Sequence, residues 1–387
     1  MMSLPRLRAL LLVGILLSWA SLAQAQDAYV PPYGPAWETR SAEEAGFDAE
    51  RLATAVERAQ AAASDIPTDL DLYIAQAFAG EPHNEIIGPT KERGPVTGLI
   101  LRDGYLVAEW GEPHRVDMTF SVTKSFLSAT AGIAVDRGLI RDVNDPVRAY
   151  VQDGGFDSAQ NRDITWHHLL NMTSEWEGTL FGKPDWADRP TGERGRYHER
   201  ELEAPGSRWK YNDVRVNRLA LSLLRVFREP LPRVLREEVM DPIGASRTWQ
   251  WHGYENSWVE EEGLHVQSVS GGGHWGGGMF ISGRDLARFG LLTLRRGQWG
   301  ETQLLSEDWI ERSLTPTEQR PTYGYMNWFV NTEQELLPSA PVSVFYHAGA
   351  GANIVYVDPE HDLVVVLRWI DSNQLDDIIA AVLEAME

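Results

Sequence analysis

Residues Ser121 to Val135 read Ser-Val-Thr-Lys-Ser-Phe-Leu-Ser-Ala-Thr-Ala-Gly-Ile-Ala-Val, fifteen positions with no proline and a single charge, Lys124. A helix with so little polar face has to be enclosed by the rest of the fold. Whatever architecture the chain adopts must therefore hold this segment inside, and must carry a lysine in with it. Lysine is otherwise scarce: the 387 residues contain four, and arginine supplies nearly all the positive charge. Arginine stays charged at any working pH, whereas a desolvated lysine ammonium releases its proton more readily, so burial is expected to depress the pKa of Lys124. Ser121 stands three positions before it, the spacing at which helical side chains are surface neighbours. A serine attacks a carbonyl only once a nearby base takes its proton, so the pair fits acyl transfer. The plainer alternative is a core helix whose lysine reaches water from the first turn.

The same Ser-x-x-Lys pattern recurs at Ser207-Arg208-Trp209-Lys210, in a different setting. Ser207 follows Pro205-Gly206, a turn signal, and leads into an extended-looking run. Only the first copy opens a buried helix.

Composition narrows the surroundings. The first 25 residues read as a secretory leader: Arg6 and Arg8 at the basic start, Ala9 to Leu17 as the apolar stretch, and Ala23-Gln24-Ala25 before a cleavage point at Gln26. The apolar stretch is short for a membrane span. These features predict a periplasmic or secreted protein with no membrane insertion once the leader is removed. The chain has no cysteine, so disulfides, thiolate metal sites and lipid-anchored cysteines are excluded. A formal charge of −21, or −23 once Arg6 and Arg8 leave, disfavours nucleic acid and anionic lipid as partners.

The chain's order of patterns suggests its organisation. Ser41-Ala42-Glu43-Glu44 has capping chemistry and precedes helical spacing of Leu52, Ala55, Val56 and Ala59. Residues 96–110 read as a hairpin turning at Asp103-Gly104. Residues 139–268 lack sustained strand patterns and contain helical stretches at Trp166–Met172 and Val216–Phe227. The glycine-rich Gly271–Gly278 segment has neither a phosphate-loop ending nor a dinucleotide setting, and reads as close backbone packing. Arg284–Arg296 is helical, strand patterns follow at 323–330, 342–346, 353–358 and 363–370, and Leu375–Ala385 closes as an amphipathic helix. The expected fold class is α+β: an antiparallel sheet from both chain ends, residues 26–138 and 269–387, flanked by helices, with a mainly helical lobe inserted at 139–268. Clefts between lobes are where small substrates bind.

Three segments then line up: Phe120-Ser121-Val122-Thr123-Lys124, Tyr211-Asn212-Asp213 and His347-Ala348-Gly349. Their order and spacing, together with Ile164–Ser174 and Asp285–Gly290, resemble the serine β-lactamase-related family of class C β-lactamases, DD-peptidases, and esterases and amidases of the same fold. The resemblance covers most of residues 41–370. It implies a β-lactamase/transpeptidase-like fold with Ser121 as nucleophile, Lys124 as its partner and Tyr211 as a proton relay. It also implies that the backbone N–H of Ala350, beyond Gly349, joins that of Ser121 in holding an oxyanion. Asp213 stands where the family has asparagine, and His347 where it has lysine. A carboxylate cannot donate to a substrate carbonyl and favours the charged form of a nearby lysine. A neutral histidine adds no positive charge to a substrate-binding pocket.

No Gly-x-Ser-x-Gly elbow is present, and the adjacent His167-His168 lacks the i,i+4 spacing of helical zinc ligands. The reading is an exported serine hydrolase with no cofactor and no metal, cleaving a small ester or amide through an acyl-enzyme on Ser121. Substrate contacts are expected at Asp213, His347, Gly349 and Ala350. Two alternatives stay open: a DD-peptidase or β-lactamase, and a non-catalytic penicillin-recognising domain.

Overall fold

The computed structural model describes residues 29–326 and 328–386; the leader and its cleavage point lie outside the described residues. In chain order come helices α1 (Ala49–Ala61) and α2 (Leu70–Ala77), strands β1 (Thr97–Arg102), β2 (Tyr105–Trp110) and β3 (Asp117–Met118), and helix α3 (Thr123–Asp136). Helices α4 (Trp166–Leu170) and α5 (Asp213–Phe227) follow, then strands β4 (Gln250–Glu261), β5 (Leu264–Val269) and β6 (Gly278–Ile281). Helix α6 (Gly283–Leu294), strands β7 (Trp328–Val330), β8 (Phe345–Gly349), β9 (Asn353–Asp358) and β10 (Leu363–Arg368), and helix α7 (Leu375–Glu384) complete the elements used below.

One sheet runs β7-β8-β9-β10-β1-β2 and a second β3-β6-β4-β5, both antiparallel throughout. The first sheet shows its period of two in the way it divides its side chains. Leu99, Leu101, Val355, Val357, Val364 and Val366 join the core that contains Phe126 of α3 and Phe289 of α6. Ile100, Ile354, Tyr356, Leu363, Val365 and Leu367 face the other way, onto Ala55 of α1 and Ile378, Ile379 and Val382 of α7. Each fully buried aliphatic side chain contributes roughly 1.5–3 kcal/mol, so both faces drive assembly. The α+β reading holds. The β1–β2 turn forms at Asp103 (φ 54°) and Gly104 (φ 85°), the left-handed pair a two-residue hairpin needs.

Helix α3 is enclosed as its composition demands, with Thr123 to Ala134 all buried. One expectation fails. The β4–β5 hairpin occupies 250–269, where no sustained strand was expected. Its alternation is broken by a register shift between Gly253 and Trp258 and by exposed polar residues along β4, so no period of two is visible in the sequence.

A buried arginine links the two sheets. Arg368, at the end of β10, donates from Nη1 to the Ile281 carbonyl (2.8 Å), from Nη2 to the Met118 carbonyl (3.0 Å) and from Nε to Asn353 Oδ1 (2.7 Å). Burial lowers its pKa to about 10, partly offset by Asp117. No helix among the described residues is long and apolar enough to cross a membrane.

Candidate active site

The chain enters α3 through one 3-10 turn, Phe120–Val122. Phe120 adopts φ 48°, a left-handed backbone that costs a bulky residue about 1–3 kcal/mol. Its ring packs edge-on against Tyr73 and Trp369, which holds the turn. Ser121 is thereby presented, partly exposed, at the head of a buried helix. Lys124 Nζ lies 3.0 Å from Ser121 Oγ, and the Tyr211 hydroxyl donates to the same oxygen at 2.8 Å.

Tyr211 precedes α5, and the entry of that helix fixes its position. Asn212 caps α5 by accepting from the Arg215 N–H (3.0 Å) and donates to the Asp185 carbonyl (2.7 Å). Asp213, the first helical residue, accepts from Lys124 Nζ at Oδ1 (2.7 Å) and from Arg189 Nη1 at Oδ2 (2.8 Å). Arg189 also pairs with Asp188 (2.5 Å). The Tyr211 ring is flanked by two cations, with Lys124 Nζ and Arg189 Cζ each 4.7 Å from its centroid.

The depressed lysine pKa expected from burial alone is corrected by this geometry. Burial does oppose the charge on Lys124, but the Asp213 carboxylate and Tyr211 outweigh it and hold the ammonium above its ordinary range. Burial likewise works against the charge on Asp213, and is overcome by Lys124, Arg189 and His274, which hold the carboxyl well below its usual range. The two charges sustain one another in a place where neither would survive alone.

The glycine-rich segment serves this pair. A Cβ on Gly272 would stand 2.0 Å from both Asp213 Oδ1 and Lys124 Nζ. Gly272→Ala is expected to force the pair apart and lower turnover about a hundredfold with the circular dichroism unchanged. Wild-type turnover in that variant would show that the pair's spacing does not matter to catalysis.

His274, two residues on, was not singled out by sequence. Its Nε2 lies 2.7 Å from Glu81 Oε2, and Nδ1 is 3.8 Å from Asp188 and 3.9 Å from Asp213. Glu81, Asp188 and His274 bring one potential ligand atom each within 4.8 Å of one another, but the Arg189 guanidinium already bridges the Asp188 and Asp213 carboxylates there. The four residues Glu81, Asp188, Arg189 and His274 were missed because no local spacing connects them.

Gly349 ends β8 against the turn that carries the serine: a Cβ there would lie 2.2 Å from the Thr119 carbonyl oxygen and 3.0 Å from the Ser121 nitrogen. Ala350 follows in the β8–β9 loop, its carbonyl held by Asn353 Nδ2 at 2.7 Å. His347 is seated differently from what substrate contact requires. Its ring is wholly buried between Phe289 and Phe345, with Nδ1 3.0 Å from Ser125 Oγ and Nε2 3.3 Å from Thr293 Oγ1. Burial pulls its pKa down to about 3, so it is neutral at any working pH. Asp213 is also enclosed, at 1% exposure, with both oxygens engaged.

The second Ser-x-x-Lys is not brought together. Ser207 Oγ donates to the Ala204 carbonyl (2.7 Å), while Lys210 Nζ is buried with no hydrogen-bond partner among the described residues. Burial takes the Lys210 pKa down to about 8. His168 accepts from the Thr165 N–H in a capping box, and His167 lies between Tyr325 and Asn171.

Comparison with known proteins gives a consistent picture. The family profile described as Beta-lactamase matches residues 97–374. An Escherichia coli O157:H7 protein, a D-alanyl-D-alanine carboxypeptidase by name, is 23% identical over 196 residues, 42% of this chain and 45% of its own. The chain thus spans less than half the length of that curated relative. Among solved structures, EstCE1, described as a hydrolase with promiscuous acyltransferase activity, aligns with a TM-score of 0.56 at 15% identity, covering 88% of this chain and 100% of the other. A family VIII carboxylesterase aligns at 0.54 and 16%, covering 84% and 98%.

Proposed function

The chain belongs to the beta-lactamase family, and from that premise we propose that it is an exported serine hydrolase that cleaves a small ester or amide through an acyl-enzyme on Ser121. The observation that carries this reading is the convergence of Lys124 Nζ and the Tyr211 hydroxyl on Ser121 Oγ, at 3.0 and 2.8 Å. Ser121 Oγ attacks the substrate carbonyl carbon and its proton passes into the Lys124–Tyr211 pair. To take that proton the pair must be one proton short, and since Asp213 keeps Lys124 in its ammonium form, the base of the reactive state is the Tyr211 oxygen as phenolate, 2.8 Å from Ser121 Oγ, with the lysine stabilising the negative charge beside it. The oxyanion rests on the backbone N–H groups of Ser121 and Ala350. The proton returns to the departing alcohol or amine, and water then releases the acid from the ester on Ser121.

An anionic substrate tail has little to recognise here. Asp213 is an acceptor engaged by two cations, and His347 is neutral and enclosed. Neutral esters are therefore expected to exceed β-lactams in kcat/KM by about one to two orders of magnitude, the value of one hydrogen bond to a charged group. The experiment measures a neutral p-nitrophenyl ester and a chromogenic cephalosporin in parallel, with intact mass recorded after each. Native protein should start near Gln26 and gain one acyl group on Ser121 from the ester. Faster cephalosporin turnover would replace this substrate assignment with the β-lactamase one. No adduct from any acyl donor would favour a binding domain.

A further inference from the structure

The segment between α2 and β1 sends two side chains into the charged cluster around Asp213. Phe78 lies against the His274 ring with centroids 3.8 Å apart, and Glu81 Oε2 is 2.7 Å from Nε2 of the same ring. Glu81 Oε1 accepts from the Arg189 N–H at 3.1 Å. The other ring nitrogen of His274, Nδ1, is buried and has no hydrogen-bond partner among the described residues. It lies 3.8 Å from Asp188 Oδ1 and 3.9 Å from Asp213 Oδ2.

These contacts select one form of the ring. A neutral imidazole has one N–H and one bare lone pair. With the proton on Nε2, the lone pair of Nδ1 faces two carboxylates; with the proton on Nδ1, the lone pair of Nε2 faces Glu81. Only the imidazolium turns a donor towards every oxygen around it. The balance of charge agrees. Lys124, Arg189 and an imidazolium at His274 match Glu81, Asp188 and Asp213, whereas a neutral ring leaves one carboxylate in excess. Lys124, Asp188, Asp213 and His274 are all enclosed, where an unmatched charge is costly. Positive charge on His274 is also among the influences that hold the Asp213 carboxyl low.

We infer that Glu81 and His274 are positioning residues for acyl transfer: Glu81 fixes His274 as an imidazolium, which steadies Asp213 and through it the place of Lys124 beside Ser121. This rests on the reading of Ser121 as an acyl-enzyme nucleophile. Asp213 is held from two sides, with Oδ1 towards Lys124 and Oδ2 towards Arg189 and His274. Weakening the hold on Oδ2 frees the carboxylate to turn, and the ammonium paired with Oδ1 moves with it. The 3.0 Å approach of Lys124 Nζ to Ser121 Oγ is then loosened, which slows the chemical step.

The test uses the full mature chain and a neutral p-nitrophenyl ester. Glu81→Gln keeps the size of the side chain and an acceptor for the Arg189 N–H but removes the charge. His274→Phe keeps a ring against Phe78 and removes both nitrogens. Each is expected to lower kcat about tenfold with KM within about twofold of wild type, and the double variant should fall no further than the worse single one, because the two act as a unit. Glu85→Gln, an exposed carboxylate of the same segment that pairs with Lys183, should keep the wild-type kcat. The ring-nitrogen NMR spectrum at pH 7 supplies a readout that packing alone does not move: His274 should show two protonated nitrogens in wild type and one in Glu81→Gln. A bare Nδ1 in the wild type, a wild-type kcat in Glu81→Gln, or losses that multiply in the double variant overturns the inference while the acyl-enzyme on Ser121 stands. Wild-type protein that turns over no ester and gains no mass on Ser121 overturns the hydrolase reading, and the role of this pair with it. The wild-type spectrum needs no substitution, so a variant that fails to fold still leaves the pair's charge decided.

Discussion

Ser121→Ala is expected to lower ester kcat/KM by about four to six orders of magnitude and to abolish any covalent adduct, because the residues around it act as a unit once the nucleophile is gone. Lys124 and Tyr211 both converge on the oxygen that this change deletes. Ser207→Ala makes the informative companion. Its hydroxyl is occupied by the Ala204 carbonyl on an exposed turn and has no lysine beside it, so turnover should stay within about twofold of wild type. Steady-state kinetics with intact mass on both variants decides the matter. A dead Ser207→Ala with a working Ser121→Ala would move the active site elsewhere.

Asp213→Asn is expected to be nearly as damaging, for a different reason. It leaves Lys124 and Arg189 facing a neutral amide inside the protein, and breaking one partner of a buried ion pair costs about 3–5 kcal/mol. The sign of the pH dependence follows from the two shifts. The Asp213 carboxyl is held low, so its contribution is present above the unfolded value of about 3.9 and is lost as pH falls below it. The Lys124 ammonium is held high, so its contribution is present below about 10.4 and is lost as pH rises further. Urea unfolding should separate wild type from variant fully between about pH 5 and 9, with the two converging in acid. Turnover should drop about a hundredfold, with the alkaline limb of its pH profile moving down, because burial then acts on Lys124 with only Tyr211 to oppose it. Equal stability at pH 7 would contradict the role given to this pair.

The parts of this protein that could be read from its sequence are those where neighbours along the chain settle the outcome. The run from Ser121 to Val135 had to be enclosed because it carries one charge, and β9 and β10 alternate cleanly between two apolar cores. Asp103-Gly104 determines its own turn. The β4–β5 hairpin stayed hidden because its bulged register erases the alternation. The charge of Lys124 lay beyond sequence reasoning for a physical reason. Burial and Asp213 push in opposite directions, and only the 2.7 Å separation decides which prevails. The flanking network draws on positions 81, 188, 189 and 274, which belong to three segments far apart in the chain and meet only in the folded structure. The ring of His347 faces α3 and α6 because β8 alternates, with Tyr346 and Ala348 turned to the side of α1 and α7.

Arg368 has a bearing on how the catalytic geometry responds to strain. Its guanidinium grips carbonyls of β3 and β6 in one sheet, and through Asn353 the loop of Ala350 in the other. The backbone assigned to the oxyanion is thus suspended from a joint between two sheets and not from either one. Any slippage between them is transmitted to that loop with little attenuation, because a planar guanidinium cannot bend to absorb it. The position of the oxyanion loop is in effect a gauge of whether both halves of the molecule are in register.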